Sequence, residues 1–373
     1  MFVIVIGAGP AGLASAACAK NAGADVTILE RTDRIATSWH GHYDRLHLHT
    51  VKGRSGLPHL PMPGDFPKFP SRAQMVAYLD AYAAEFSLKP EFQINVQTVC
   101  QRGDKWDVSH DRGCDHADAV IFATGLNGTP NRVELLGEQT FDGIILHSSD
   151  YQSGDVFSGK NVLVVGFGNS GGDIALDLVE AGAHVSLSVR GPVNILPHDL
   201  FGIPITSLGG LRKILPYKWA DALTAPVLRA KIGRPESYGL QSAGKGPAAQ
   251  VIEDGRVPLI DIGTLAAIRA GQISVRPGID LVDESRVRFA DGTGGEFDAI
   301  ILATGYRTDL RDVLPDLHQV LDDTGAPLIS GAPGTVRGLY FCSYKASADG
   351  QLRQTGIEAR AIAQDIKQDI MRN

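Results

Sequence analysis

The chain has 373 residues, more than one hydrophobic core usually organises, so two domains are expected. Its formal net charge is -7, from 35 Lys and Arg against 42 Asp and Glu, and no dense basic block could track a phosphate backbone; nucleic acid is not an expected partner. No apolar run reaches the length of a membrane-spanning helix, so no integral membrane segment is expected, and from the strand-like opening Phe2-Val3-Ile4-Val5-Ile6 no signal peptide is expected either. The cysteines Cys18, Cys100, Cys114 and Cys342 are scattered without a CxxC pair, which suits a reducing compartment, and the cytoplasm is the expected location.

The opening strand runs into Gly7-Ala8-Gly9-Pro10-Ala11-Gly12, followed by an Ala-rich helix and a second strand ending at Glu30. In such a turn the first glycine permits the tight bend, the second lets the backbone approach a pyrophosphate, and the third allows the helix to pack closely on the sheet. The helix N-terminus then offers unpaired N–H groups to the phosphates, and a carboxylate at the next strand end accepts from ribose hydroxyls. A dinucleotide site is therefore expected here. Histidines crowd next, at His40, His42, His47 and His49, and the alternation Leu46-His47-Leu48-His49 predicts a strand with both later imidazoles on one face. With no carboxylate or cysteine at a familiar ligand spacing, a polar pocket lining or a solvated face is expected and no metal site.

The run Asp118 to Gly125, Asp-Ala-Val-Ile-Phe-Ala-Thr-Gly, reads as a buried parallel strand ending in a turn, and it returns almost unchanged at Asp298 to Gly305. Between them, residues 161–190 repeat the strand, glycine turn, helix and strand, now as Gly166-Phe167-Gly168-Asn169-Ser170-Gly171-Gly172-Asp173 and ending at Arg190. An arginine at that strand end can grip a 2′-phosphate that a carboxylate would repel, so NADPH is favoured over NADH. Residues 196–250 belong to neither repeat. Leu208, Leu211, Leu215, Trp219, Leu223 and Val227 recur near helical spacing, but Pro216 and Pro226 are expected to bend or break any helix. A cover over a substrate channel is the expected role, with weak membrane-surface attachment through Arg212, Lys213, Lys218, Arg229 and Lys231 as the alternative. Residues 351–371 have the pattern of a terminal helix. The expected fold class is α/β, with two Rossmann-like dinucleotide-binding domains, the second inserted into the first. Residues 1–150 and 304–373 would form the first domain and residues 151–303 the second.

Ahead of the second repeat lies Phe141-x-Gly143-x-x-x-His147-x-x-x-Tyr151, which matches the FxGxxxHxxxY motif of the flavin-containing monooxygenases. Gly166 to Asp173 resembles the family's GxGNSGxD, and Ala303-Thr304-Gly305-Tyr306 its ATGY linker. Tyr151 stands where the Baeyer–Villiger relatives usually carry Trp. The chain is similar to YUCCA-type enzymes also through Arg45-Leu46-His47-Leu48-His49, Phe66-Pro67-Lys68-Phe69-Pro70, Tyr238-Gly239-Leu240, Gly246-Pro247 and Asp261-Ile262-Gly263, while residues 338–354 look more like bacterial relatives. His49 falls where many members place a flavin-side Asn.

The resemblance implies a single-component monooxygenase in which NADPH reduces FAD, dioxygen adds to give a C4a-hydroperoxyflavin, and one oxygen passes to a small molecule. That substrate would be a 2-oxo acid of the indole-3-pyruvate kind undergoing oxidative decarboxylation, or a soft N or S nucleophile. It implies catalytic roles for His49, Asn169 and Ser170. The cofactor-binding set would be Gly7, Gly9, Pro10, Ala11, Gly12, Glu30, Arg31, Trp39, His47, Thr124, Gly125, Gly166, Gly168, Asn169, Ser170, Gly171, Arg190, Thr304, Gly305, Tyr306 and Gln351. Two rivals stay open: an FAD-dependent NADPH oxidase or quinone-type reductase, and a non-catalytic flavin- or nucleotide-sensing protein. A homodimer is compatible with the sequence.

Overall fold

The structure, a computed structural model, describes residues 1–206 and 216–372. The chain forms two compact units: one from residues 1–40, 50–129 and Tyr306 onward, the other from residues 41–49 and 130–305. The first unit is built on a five-stranded parallel sheet, in the order Leu339–Phe341, Ala119–Phe122, Phe2–Ile6, Asp25–Glu30, Glu91–Phe92. Alternation along the central strand explains its layers. Ile4 and Ile6 join Val120, Phe122 and the buried Val99, Trp106 and Val108 of an antiparallel three-stranded sheet on one side, while Val5 turns toward the helix Pro10–Asn21 on the other. That helix packs along the C-terminal helix Gln351–Arg372, which realises the expected terminal helix. Each fully buried Val or Ile side chain contributes about 1.5–3 kcal/mol, so a strand in which Val3, Ile4 and Val5 are all inaccessible anchors the unit.

The second unit repeats the plan. Its parallel sheet runs Ile273–Arg276, His184–Ser188, Asn161–Val165, Ala299–Leu302, Ile144–His147. Leu163, Ile300 and Leu302 face an antiparallel trio of strands through Val282, Val287 and Phe289, whereas Val162, Val164 and Ile301 face the helix Asn169–Glu180 through Ile174, Ala175 and Leu178.

Three expectations are revised. The units divide at 129/130 and 305/306, not at 150/151 and 303/304, because Ile144–His147 pairs with Ala299–Leu302 as an edge strand of the second sheet. The expected strand over residues 46–49 does not form: this stretch holds only an isolated bridge at His47, and residues 41–49 belong to the second unit. Their tie is polar: Tyr43 Oη donates to Asp173 (2.8 Å) and the Arg45 guanidinium meets Glu180 (2.6 Å), both on the helix Asn169–Glu180. Lastly, Pro216 caps and Pro226 lies inside a continuous helix, Tyr217–Ile232. A proline preceding the first turn costs no hydrogen bond, and one within the helix removes only a single bond, here on a largely solvent-facing helix. Trp219 and Leu223 are 67% and 64% exposed on it; Leu208, Leu211, Leu215, Arg212 and Lys213 lie outside the described residues. Among the described residues, no helix is long and apolar enough to cross a membrane.

The motif from Phe141 to Tyr151 fastens the edge strand. Phe141 packs on the Leu163 side of the sheet, and a Cβ on Gly143 would stand 2.3 Å from the Asp298 carbonyl oxygen. Tyr151 is buried and donates to Asp177 Oδ2 (2.6 Å). His147 is buried too, and its Nδ1 accepts from the Ser149 N–H (3.1 Å), so the proton sits on Nε2, which donates to the Gly305 carbonyl (2.9 Å). Burial holds its pKa below the ordinary histidine value. The unfolded chain therefore takes up the proton first as pH falls, and stability present above about pH 6.5 is lost on acidification below it. In urea melts stepped downward from neutrality, His147→Gln should lose stability less steeply than the native chain; parallel slopes would show that His147 does not carry this dependence.

Candidate functional site

Both units carry the same backbone cradle at the end of their central strand. Gly7 has φ +104°, and a Cβ there would lie 2.8 Å from the Ala123 carbonyl oxygen; a Cβ on Gly12 would lie 1.8 Å from the Gly7 carbonyl oxygen. In the second unit Gly166 has φ +108° with the Ala303 carbonyl oxygen at 2.5 Å, and Gly171 meets the Gly166 carbonyl oxygen at 2.1 Å. Only glycine tolerates these approaches. By contrast, nothing lies within 4 Å of a Cβ at Gly9 or Gly168. Those two glycines are the N-caps of the helices Pro10–Asn21 and Asn169–Glu180, and neither helix has a side-chain cap. Each cradle thus presents first-turn N–H groups and a positive dipole end to whatever anion approaches the middle glycine.

The surroundings of the two cradles differ. Glu30 reaches back to the first: its Oε2 accepts from Ala8 N (2.8 Å) and its Oε1 from the N–H and hydroxyl of Thr32 (2.9 and 2.8 Å). The carboxylate is thereby held beside the turn with lone pairs to spare for a ribose. Ala36, at φ 55°, donates its N–H to the Ala8 carbonyl (3.0 Å) and brings the short helix Thr37–His40, with half-buried Trp39, over the same loop. Thr124, at the end of the neighbouring strand, is held by Tyr344, whose hydroxyl contacts Thr124 N (3.2 Å) and Oγ1 (2.6 Å); Gly125 follows at φ +80°. Arg31 is exposed and reaches the Gly128 carbonyl at 3.3 Å. Ala36 and Tyr344 escaped the sequence reading, since no local pattern marks either.

At the second cradle Asn169 is a bracket. Its Oδ1 accepts from Ile260 N (2.8 Å) and its Nδ2 donates to the Pro258 carbonyl (3.4 Å). One turn along the helix, buried Asp173 receives Tyr43 and has His49 Nε2 at 3.5 Å, so His49, Asn169 and Ser170 gather at one helix end. Asp173 was visible in the GxGNSGxD motif, but its partners were not. Arg190 is exposed just past the adjacent strand, with its aliphatic stem against Gly278, and Thr304 donates to the Asn131 carbonyl (2.6 Å) beside Gly305. Three further expected residues have local partners: Gln351 donates to Ser343 Oγ (2.8 Å) and the Lys345 carbonyl (3.2 Å), exposed His47 contacts the Arg45 carbonyl (2.7 Å), and Tyr306 opens the strand with which the chain returns to the first unit.

The family model described as pyridine nucleotide-disulphide oxidoreductase matches residues 4–198. The indole-3-pyruvate monooxygenase YUCCA1 of Oryza sativa subsp. japonica is 37% identical over 97% of this chain and 90% of its own length. The chain belongs to the YUCCA-type flavin monooxygenases. A variant of the flavin monooxygenase from Stenotrophomonas maltophilia shares the fold with a TM-score of 0.75 at 25% identity, covering 99% of this chain and 98% of that one. OTEMO in complex with FAD and NADP, at 16% identity, matches with a TM-score of 0.76 over 99% of this chain and 86% of its own. As a YUCCA-type enzyme the chain is an oxidoreductase, an FAD- and NADPH-dependent monooxygenase. Its residues fit both cofactors: two uncapped cradles for two pyrophosphates, a carboxylate held against the first, and an exposed arginine just past the strand that follows the second.

The cradle geometry separates two substitutions. Gly9→Ala adds a methyl group to open space and should give a folded protein whose FAD affinity is about tenfold lower or worse, ~1.4 kcal/mol. Gly12→Ala forces helix and turn apart and should cost about 1–3 kcal/mol or more of stability. Flavin absorbance per chain, read beside far-UV circular dichroism melts, tests the pair; undiminished FAD binding by Gly9→Ala would remove the open side of the cradle from the cofactor site.

Proposed function

We propose that this enzyme oxidatively decarboxylates a 2-oxo acid of the indole-3-pyruvate class, with FAD in the cradle at residues 7–12 and NADPH in the cradle at residues 166–171. The observation that carries the substrate assignment is the 37% identity, over 97% of the chain, to an enzyme named for that activity. Bound FAD, once reduced by NADPH, supplies the activation of dioxygen.

The chain's own residues bind and orient. The N–H groups after Gly9 hold one pyrophosphate, Glu30 accepts from the adjoining ribose, and Trp39 shields that loop. Arg190 pairs with the 2′-phosphate of NADPH, a reading supported by its exposed position past the strand and by its having no carboxylate partner among the described residues. Asn169 keeps residues 258–260 against the second cradle, which supports a positioning duty in addition to any contact with cofactor. His49 and Ser170 are assigned to the reacting side, His49 with its ring oriented by Asp173. The remaining cofactor-binding residues keep the assignments implied by their motifs. We assign residues 196–250 as the cover of the substrate channel; within the second unit its helix Tyr217–Ile232 is tied down by Asp221, which accepts from Ala248 N and Ala249 N (both 2.9 Å). Four free cysteines support a cytoplasmic setting.

Arg190→Glu should raise the KM for NADPH roughly 10- to 100-fold, corresponding to ~1.5–3 kcal/mol for a lost charge-assisted contact, while leaving NADH turnover little changed. Equal effects on both nucleotides, measured by flavin reduction, would place the 2′-phosphate elsewhere. With indole-3-pyruvate, NADPH and ¹⁸O-labelled dioxygen, the enzyme should release carbon dioxide and a one-carbon-shorter acid carrying one labelled oxygen, in step with NADPH consumed. NADPH consumption yielding hydrogen peroxide alone would defeat the substrate assignment.

A further inference from the structure

On the outer antiparallel sheet of the first unit, three donors of different type meet. Asp107 pairs directly with His116 across the strands Lys105–His110 and Gly113–Ala117, and Cys114 stands two residues before His116 on the same face. One carboxylate oxygen, the thiol sulfur and one imidazole nitrogen all lie within 4.8 Å of one another. His116 Nδ1 is 2.6 Å from Asp107 Oδ1, whereas Arg102 Nε is engaged with the other oxygen, Oδ2, at 2.5 Å. The Asp107 side chain is nearly buried and fixed from both sides, while Cys114 and His116 are exposed. A rigid acid flanked by two accessible donors can receive an ion without rearranging the sheet.

We propose that Asp107, Cys114 and His116 form a site for a divalent transition-metal ion of the zinc class, with water in the fourth position. Zinc bonds of about 2.0–2.3 Å to O, N and S require donors spaced a little under 4 Å, which these side chains reach by small rotations. The combination of thiolate, imidazole and carboxylate discriminates against magnesium and calcium, which take oxygen donors. On binding, the ion displaces the proton shared between His116 and Asp107 and that of the Cys114 thiol; Arg102 stays on Oδ2 and offsets part of the carboxylate charge. Cys100 lies opposite Asp107 in register but is not among the three donors that lie within 4.8 Å of one another, so the sulfur ligand is Cys114. Such an ion would staple the outer strand of this sheet to its neighbour, independently of the cofactor chemistry.

The test uses the tag-free, chelator-treated holoenzyme titrated with Co²⁺ and then Zn²⁺, read as difference spectra. Expected are intense d–d bands on the red side of the flavin absorption and a thiolate-to-cobalt charge-transfer band, both erased by Zn²⁺. Cys114→Ser should abolish the charge-transfer band, His116→Gln should weaken Co²⁺ binding by about tenfold or more, and Cys100→Ser should leave both unchanged. Since Cys114 and His116 are exposed, flavin content and far-UV circular dichroism should be those of the native chain. A weak octahedral spectrum, or tetrahedral binding that survives both Cys114→Ser and His116→Gln, overturns the proposal, as does a charge-transfer band that follows Cys100.

Discussion

The contact on which both halves of this molecule depend is between backbone atoms. Where the Phe2–Ile6 strand ends, the carbonyl oxygen of Gly7 occupies space that any side chain at position 12 would claim, and Gly166 and Gly171 reproduce the arrangement. Because the helix can come this close, it starts immediately past the sheet edge, with its first N–H groups unclaimed and its dipole aimed outward. Sheet, helix and antiparallel cover then follow as ordinary consequences of burying alternate faces of a parallel strand. The middle glycine of each turn is the one not needed for packing, and it leaves open space at the helix N-terminus.

A second constraint organises the helix Asn169–Glu180. Its acidic residues Asp173, Asp177 and Glu180 recur at helical spacing and collect Tyr43, His49, Tyr151 and Arg45 from segments distant in sequence. Asp173 is buried, and Asp177 also accepts from Gly154 N (3.0 Å), so their carboxylates are satisfied by hydrogen bonds and not by solvent. Burial and the adjacent Asp177 push the Tyr151 hydroxyl well above the usual phenol range, keeping it a donor. The tyrosine of the family motif is thus a fastener of the chain entering the second unit, and the histidine of the same motif performs a similar duty at Gly305. Neither needs a chemical role to account for its identity.

Two clefts in the structure, one in each unit, are lined by residues other than those of the cradles. One of about 180 Å³ in the second unit is lined by His198, Asp199, Lys231, Asp261 and Arg269, none of them a residue the sequence had singled out for cofactor contact. Extended, bent cofactors bind along turns and helix ends more than in closed cavities, and the two cradles offer that kind of backbone surface.

What the sequence determined by itself was encoded over short spans. Two glycine turns, two strand-ending Ala-Thr-Gly phrases, the carboxylate at Glu30, the arginine at Arg190 and the final helix were all legible, because strand, turn and helix periodicities and the chemistry of a strand end act over a few residues. What only the tertiary structure decided depends on partners far apart in the chain. Residues 46–49 look like a strand of the first unit, but the segment joins the second unit, where Tyr43 finds Asp173, 130 positions away. The second unit begins before the expected boundary because Ile144–His147 pairs with a strand more than a hundred residues later. Asp107, Cys114 and His116 have no ligand spacing in sequence and become neighbours only through antiparallel register. In the first two cases the deciding contact is a long-range pairing and in the third the register of a hairpin, and the residue spacing alone records neither.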